Sequence, residues 1–307
     1  MKSYAFDDFL MNAATDKPVL CQMQMGKARR QKGFVLLVTL VLLTLAALAM
    51  VTICRAAILR VQAASEAQTD LQRRWGSLSC RAALLPQCAD ILQRAEAQSS
   101  RPIAVLQRAL ILGNQTFHLT FSDESAKADV GLLIRRQGKD QAELTIRRLS
   151  LGSPLAAGNV DLRIPSNAPA PDCFGDVFDG ATPKVLFDHE VGPSPQEALT
   201  CWSGGRVNIH RASEAVLREV CAGTLNLTQI HLLTEFQESQ PTIAVADALK
   251  QLQLTASQRR DAEEILTDCT TCSSLWIECR TPRRSYWVLT VARQKQGSAP
   301  LTRCFEW

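Results

Sequence analysis

Residues 31–53 read Gln31-Lys32-Gly33-Phe34-Val35-Leu36-Leu37-Val38-Thr39-Leu40-Val41-Leu42-Leu43-Thr44-Leu45-Ala46-Ala47-Leu48-Ala49-Met50-Val51-Thr52-Ile53. From Phe34 to Ile53 there are twenty residues without charge, proline or glycine. At about 1.5 Å of rise per residue, a helix of that length just crosses a hydrocarbon core about 30 Å thick. The core helix of a soluble domain would carry a polar face, and here the polar side chains are threonines such as Thr39 and Thr44. A cleaved secretory signal would be shorter and end at small residues, whereas this run passes into Cys54-Arg55-Ala56-Ala57. The stretch therefore reads as a membrane span. Lys27, Arg29, Arg30 and Lys32 precede it. Basic residues on that side hold it in the cytoplasm, so the bulk of the chain is expected to be exported.

Residues 54–98 read as an amphipathic continuation of the same helix. They hold no proline before Pro86 and are rich in Ala, Leu, Gln, Glu and Arg. Ile58, Val61, Ala64, Leu71, Trp75 and Leu78 recur mostly at three- or four-residue steps, an apolar stripe expected to pack on a globular head.

Charge and cysteine content narrow the rest. The formal net charge is +4, and removing residues 1–33, with six basic and three acidic side chains, leaves +1. That balance gives no footing for a polyanionic partner. Of eleven cysteines, Cys21 precedes the span and Cys54 borders it, leaving nine in the soluble part, so at least one stays unpaired within the chain. Cys269-Thr270-Thr271-Cys272 has zinc-like spacing, but His118, His189, His210 and His231 are isolated from one another. A disulfide among Cys269, Cys272, Cys279 and Cys304 suits an exported head better.

Gln115–Ser122 alternates apolar and polar residues as a half-buried strand does. Val130–Arg136 and Glu143–Leu149 read as two further strands of a hairpin turning at Gln137–Asp140. Residues 151–205 are a proline- and glycine-bearing irregular connection, and Ser213–Leu266 has helical periodicity. Strands return at Leu275–Cys279 and Tyr286–Val291, with Arg283-Arg284 between them. There is no nucleophile elbow, phosphate loop or paired-histidine motif. Asp188-His189-Glu190 stands in a proline-flanked loop without a nucleophile nearby, and Asp172, Asp176 and Asp179 lack calcium-loop spacing.

Two motifs carry a family resemblance. The junction Lys32-Gly33-Phe34, basic before and apolar after, resembles the prepilin signal of type IV pilins and type II secretion pseudopilins. The resemblance implies a leader, residues 1–33, cut by a prepilin peptidase between Gly33 and Phe34, with methylation of the new Phe34 amino terminus. Most such proteins carry glutamate at the fifth mature position, which here is Val38. Within the family, the K-type minor pseudopilin of the fibre tip lacks it. The second motif is Gly204-Gly205-Arg206-Val207-Asn208-Ile209-His210-Arg211-Ala212-Ser213-Glu214-Ala215-Val216-Leu217. Its Val207, Asn208, Ile209, Ala212, Ser213 and Leu217 are similar to the K-type signature. Ser122-Asp123-Glu124-Ser125-Ala126-Lys127-Ala128-Asp129 resembles that family's turn before its helical insert, with Ala126 in place of glycine and Asp129 in place of asparagine.

The resemblance implies an α+β fold: a long N-terminal helix, transmembrane then amphipathic, packed on an antiparallel pilin-like sheet with an inserted α-helical domain. The expected organisation is leader 1–33, span 34–53, amphipathic helix 54–98, pilin-like strands 99–150, connection 151–205, helical insert 206–271 and C-terminal strands 272–307. It also implies a non-enzymatic part in fibre initiation and protein export; no cofactor is expected, and no ligand set aligns for carrying over a metal site. The head would lie in the periplasm on a single inner-membrane pass. Implied partners are I- and J-type minor pseudopilins, the prepilin peptidase, the inner-membrane assembly platform and exported cargo. The helical block also resembles the opening of helix-hairpin-helix modules, so the rival expectation is a membrane-anchored DNA-binding protein of an uptake or type IV pilus system. Its linker, Cys221–Asn226, has one glycine and no adjacent Lys or Arg to cradle a phosphate.

Overall fold

The computed structural model describes residues 32–99, 101–151, 171, 173–178, 180–187, 194–281, 285–295 and 298–307. Cys21 and the rest of the leader up to residue 31, Asp172, Asp179, Asp188-His189-Glu190 and Arg283-Arg284 lie outside these residues. The chain divides into two units, one up to Glu66 and one from Ala67 to Trp307.

Helix α1 is Lys32–Leu84. In its first unit every described side chain is exposed, including Phe34, Leu40, Leu48 and Ile53. It is the only helix among the described residues long and apolar enough to cross a membrane. Its threonines fold back on the helix: Thr39, Thr44 and Thr52 donate to the carbonyls of Leu36, Val41 and Ala49 at 2.9, 2.8 and 2.7 Å. An apolar solvent therefore meets methyl groups with the hydroxyls satisfied.

In the second unit the helix does not run through to residue 98. Pro86 lacks an N–H and its ring obstructs the preceding turn, so Leu85–Gln87 tightens into a 3₁₀ turn and α2 restarts at Cys88–Ser99. The buried face of α1 also differs from the expected stripe. Gly76, Ser77 and Cys80 are buried, while Leu71, Trp75 and Leu78 are 56, 63 and 46% exposed. Small residues win this face because the Phe117 ring lies directly against Gly76, where a Cβ would collide with it. The more membrane-proximal Ile58 and Val61 are exposed too.

Five strands form an antiparallel sheet in the order β1-β2-β7-β8-β9. They are β1 Val105–Leu112, β2 Gln115–Asp123, β7 Cys272–Arg280, β8 Ser285–Lys295 and β9 Ser298–Glu306. Side chains alternate between faces. Phe117, Leu119 and Phe121, with Leu275, Ile277, Cys279 and Val288, meet Cys80, Leu85, Cys88, Leu92 and Ala95 of the helical side. Each large apolar side chain buried there contributes about 1.5–3 kcal/mol. On the other face, Trp276, Leu289 and Val291 join a second core belonging to the helical block.

That block is spliced between neighbouring strands. Asp123 ends β2 and stands opposite Ser273 near the start of β7, so residues 124–271 leave and re-enter the sheet at one place. The insertion therefore begins well before residue 206. Val130–Arg136 and Glu143–Leu149, expected as strands, are helices α3 Val130–Gln137 and α4 Lys139–Leu149. Caps decide this: the Asp129 carboxylate accepts from the Leu132 amide at 2.9 Å, and Gly138 closes α3 at φ +77°. In α4, Ala142, Thr145, Ile146 and Leu149 are buried, a helical rather than an alternating spacing.

A two-residue strand, β3 Ala128–Asp129, leads into α3, and the connection adds a 3₁₀ turn Phe174–Asp176, α5 Pro183–Phe187, α6 Pro195–Ala198 and β4 Leu199–Thr200, parallel to β3. Then come β5 Val207–Asn208, α7 Glu214–Val220, α8 Leu227–Ser239, α9 Val245–Gln251, α10 Ala256–Ile265 and β6 Leu266–Thr267. Ser213, Asn226 and Thr255 cap α7, α8 and α10, each accepting from the amide three residues on.

The register separates the cysteines expected to pair. Cys272 and Cys279 project from opposite faces of β7, and Cys304 stands on β9 opposite Thr290, beyond β8. Cys269 is exposed, and none of the four is in a disulfide.

Candidate functional site

The splice point is a knot of buried charge. The Asp123 carboxylate, fully buried, accepts from the Ser125 amide at 2.9 Å, Asn208 Nδ2 at 3.0 Å, Thr270 Oγ1 at 2.6 Å and Arg211 Nη1 at 3.3 Å. The same guanidinium grips Glu96 of α2 with two parallel bonds, Nε–Oε1 at 2.7 Å and Nη2–Oε2 at 2.8 Å. Glu96 Oε1 also accepts from the Ile103 amide at 3.0 Å. Arg211 thus joins α2, the end of β2, the approach to α7 and the loop after β6. Burial alone would lower its pKa, but the Glu96 and Asp123 carboxylates outweigh that and raise it above its ordinary value.

Next to it, Glu124 accepts from Lys127 Nζ and Ser274 Oγ, both at 2.6 Å, in a wholly buried pair. Ser125 Oγ accepts from the amides of Thr271 and Cys272 at 3.0 and 3.2 Å. Asp129 Oδ2 accepts from Ser203 Oγ at 2.9 Å and the Gly204 amide at 3.1 Å. Buried ion pairs return little net stability, but removing one partner leaves a stranded charge. The knot therefore fixes the register in which the helical block meets the sheet.

The signature residues serve the same joint. Val207, Ile209, Ala212 and Leu217 are at most 3% exposed and lie in the core of the block. Val207 and Asn208 pair with Leu266 and Thr267. Asn208 gives its amide group to Asp123 and accepts from the His210 amide at 3.1 Å. Ser213 Oγ accepts from the Val216 amide at 3.3 Å. The structure brings Asn208 to the knot and places the other five around it as core and cap.

Gly33, Phe34 and Val38 are far from the knot in sequence. They stand at the start of α1, with Phe34 71% and Val38 39% exposed.

Arg211 and Glu96 were not singled out by sequence. Arg211 lies within the quoted motif, but its partner Glu96 is 115 residues away, and nothing local marks the pair. The Ser122–Asp129 stretch was the available signal, since it supplies Asp123, Glu124, Ser125, Lys127 and Asp129.

Part of the α7–α8 hairpin backbone is already engaged. Thr224 and Leu225 donate to the Cys221 carbonyl at 2.9 and 3.0 Å, and Asn226 donates to Gln229 Oε1 at 2.9 Å. Thr224 and Leu225 are themselves buried. Ala222 and Gly223, at the tip of the hairpin, are exposed. Asp176 is occupied as well, accepting from the Cys173 amide at 3.0 Å. Among the described residues, no three His, Cys, Asp or Glu side chains gather around a common metal position.

No family model matches the sequence, and no curated protein matches it. A likeness comes from solved structures. The chain is similar to a chain of the crystal structure of the GspK–GspI–GspJ complex from the enterotoxigenic Escherichia coli type 2 secretion system. The TM-score is 0.45 and the sequence identity 11%, covering 79% of this chain and 99% of that one. At that identity no residue-by-residue correspondence follows.

Proposed function

We propose that this chain is a K-type minor pseudopilin, acting at the tip of a type II secretion pseudopilus in fibre initiation and protein export. The observation that carries the reading is the splice. A block of helices containing the Gly204–Leu217 motif leaves an antiparallel sheet at Asp123 and returns opposite it at Ser273. The sheet in turn packs on the end of a long helix whose first turns follow the Lys32-Gly33-Phe34 junction.

In this reading the role is assembly rather than catalysis. The peptidase cuts after Gly33, and the apolar part of α1 holds the subunit in the inner membrane, with the head in the periplasm. During assembly that helix leaves the lipid and packs among its counterparts. Its exposed apolar surface suits both surroundings, because lipid tails and neighbouring helices are equally apolar. Val38 offers no carboxylate to the terminal amine of a preceding subunit, which suits a subunit that begins the fibre. The bulky inserted block would hinder addition above it. The partners are I- and J-type minor pseudopilins, the assembly platform and exported cargo.

The test is co-purification. Full-length chain expressed with the I- and J-type minor pseudopilins of its own cell should leave detergent extracts as a complex with them. Elution of each component alone would contradict the reading.

A further inference from the structure

We propose that Cys173 and Cys201 are built to oxidise to a disulfide that staples the 3₁₀ turn Phe174–Asp176 to the end of β4. Each cysteine precedes an aromatic residue, and those two rings meet: Phe174 and Trp202 lie edge to face, 5.1 Å between centroids at 82°. Each ring sits one residue along the chain from its cysteine, and the Cys173 sulfur is near enough to Cys201 to act on it electrostatically. Both thiols are half-buried and pack against the same core, that of the helical block. The Cys173 amide is tied to Asp176 Oδ2, and its sulfur curls over its own turn, 3.6 Å from where Gly175 would carry a Cβ. With no side chain on Gly175, the sulfur remains open to approach.

Burial pushes Cys201 well above its ordinary value, with the Asp129 carboxylate and then the Cys173 thiol itself adding to the effect. Burial also raises Cys173, backbone N–H groups of its own turn oppose the rise, and the Asp176 carboxylate adds to it. Cys173 is therefore the better first nucleophile, and Cys201 the resolving thiol. Thiols that ionise reluctantly are poor leaving groups, so the finished bond resists reduction. Among the described residues, Cys221 is buried deeply enough to be pushed up to about 12, and Cys304 is engaged by Arg81.

The oxidant is a disulfide, either small, like oxidised glutathione, or carried by a thiol oxidoreductase. The Cys173 thiolate attacks one of its sulfurs, forming a mixed disulfide and expelling the other sulfur as thiolate. The Cys201 thiolate then attacks Cys173 Sγ and expels the second. Two protein thiols lose two electrons and two protons, and the oxidant gains them as two thiols. Formation in the cell rests on the export proposed above, because only an oxidising compartment would maintain the bond.

The experiment separates the pair from its location. Full-length chain is alkylated with N-ethylmaleimide in intact cells, purified in detergent, digested and analysed by mass spectrometry. A second sample is reduced, equilibrated with oxidised glutathione and treated alike. The expected result is a linked Cys173–Cys201 peptide in both. Linkage only with glutathione supports the pairing and counts against export. Both cysteines alkylated in the glutathione sample, or either linked to a different cysteine, overturns the proposal. Oxidation should raise the thermal midpoint by roughly 5–10 °C, a gain lost in Cys173→Ser and Cys201→Ser and kept in Cys221→Ser. The unsubstituted chain decides the matter if a variant fails to fold.

Discussion

Replacing Gly76 with alanine puts a methyl group where the Phe117 ring already lies. In an exposed helix interior the change would gain about 1 kcal/mol, because glycine is the poorer helix former. At residue 76 the new Cβ would stand 2.8 Å from Phe117 Cε2 and 3.1 Å from Cε1, and nearest to Cζ. Carbon atoms pack best at about 3.5–4.0 Å, so all three contacts are repulsive. The ring cannot swing away, since Phe117 is fully buried between α1, α2 and the sheet. Overpacking of this kind costs about 1–3 kcal/mol, and this case lies at the upper end. Subtracting the helix gain leaves a net loss of about 2 kcal/mol. The assay is guanidinium unfolding of the full chain in detergent, followed by tryptophan fluorescence. Phe117→Leu alone should cost about 1.5 kcal/mol, and combined with Gly76→Ala it should cost less than the sum by about 1–2 kcal/mol. A Gly76→Ala chain as stable as its parent, with strictly additive effects in the double variant, would refute the packing of α1 on β2.

Arg211→Met should destabilise by about 3–5 kcal/mol in the same assay, because it strands the buried Asp123 carboxylate and unpairs the partly exposed Glu96. Arg211→Lys should recover only part, since an ammonium cannot reproduce the fork onto Glu96 while reaching Asp123; full recovery would mean that charge alone matters. Burial holds the His210 imidazole below its ordinary value, with the Asp268 carboxylate opposing. The unfolded chain then binds the proton first, so this contribution is intact above about pH 6.5 and lost as pH falls through the folded value. His210→Gln should flatten that part of a stability–pH curve, and an unaltered curve would contradict it. Trp75→Ala, at a 63% exposed position, should change stability by less than about 0.5 kcal/mol yet weaken co-purification with I- and J-type pseudopilins; unchanged recovery would remove the stripe from the interface.

What the sequence reveals depends on how local the deciding interaction is. The apolar run at 34–53 needs only length and composition, and the alternation at 115–122 appears as β2 with its apolar side chains inward. Val130–Ile134 is different, because a short apolar run suits a buried strand or a buried helix equally. Asp129 and Gly138 choose between them, and both act through capping bonds that periodicity ignores. The buried face of α1 was hidden for a related reason. Large residues suggest a core stripe, yet here the close approach of Phe117 selects Gly76, Ser77 and Cys80 and leaves Trp75 outside.

The knot was half legible. Asp123, Glu124, Lys127 and Asp129 drew attention as a turn, and Asn208 as part of a motif. That they meet is a consequence of topology, since Glu96 and Arg211 come together only once residues 124–271 are spliced between two adjacent strands. The cysteines follow the same logic. Spacing grouped Cys269, Cys272, Cys279 and Cys304, whereas strand register parts Cys272, Cys279 and Cys304 and the proposed pair, Cys173 and Cys201, is joined only through the contact of their aromatic neighbours.

The central claim is that the helix beginning beside Gly33 is a part processed for assembly into a fibre. Intact-mass and amino-terminal analysis of the chain co-expressed with its prepilin peptidase tests this most directly. The expected product is a mature chain starting at Phe34, with a methyl group on its amino terminus. A chain that keeps its Gly33–Phe34 bond in the presence of active peptidase would contradict it.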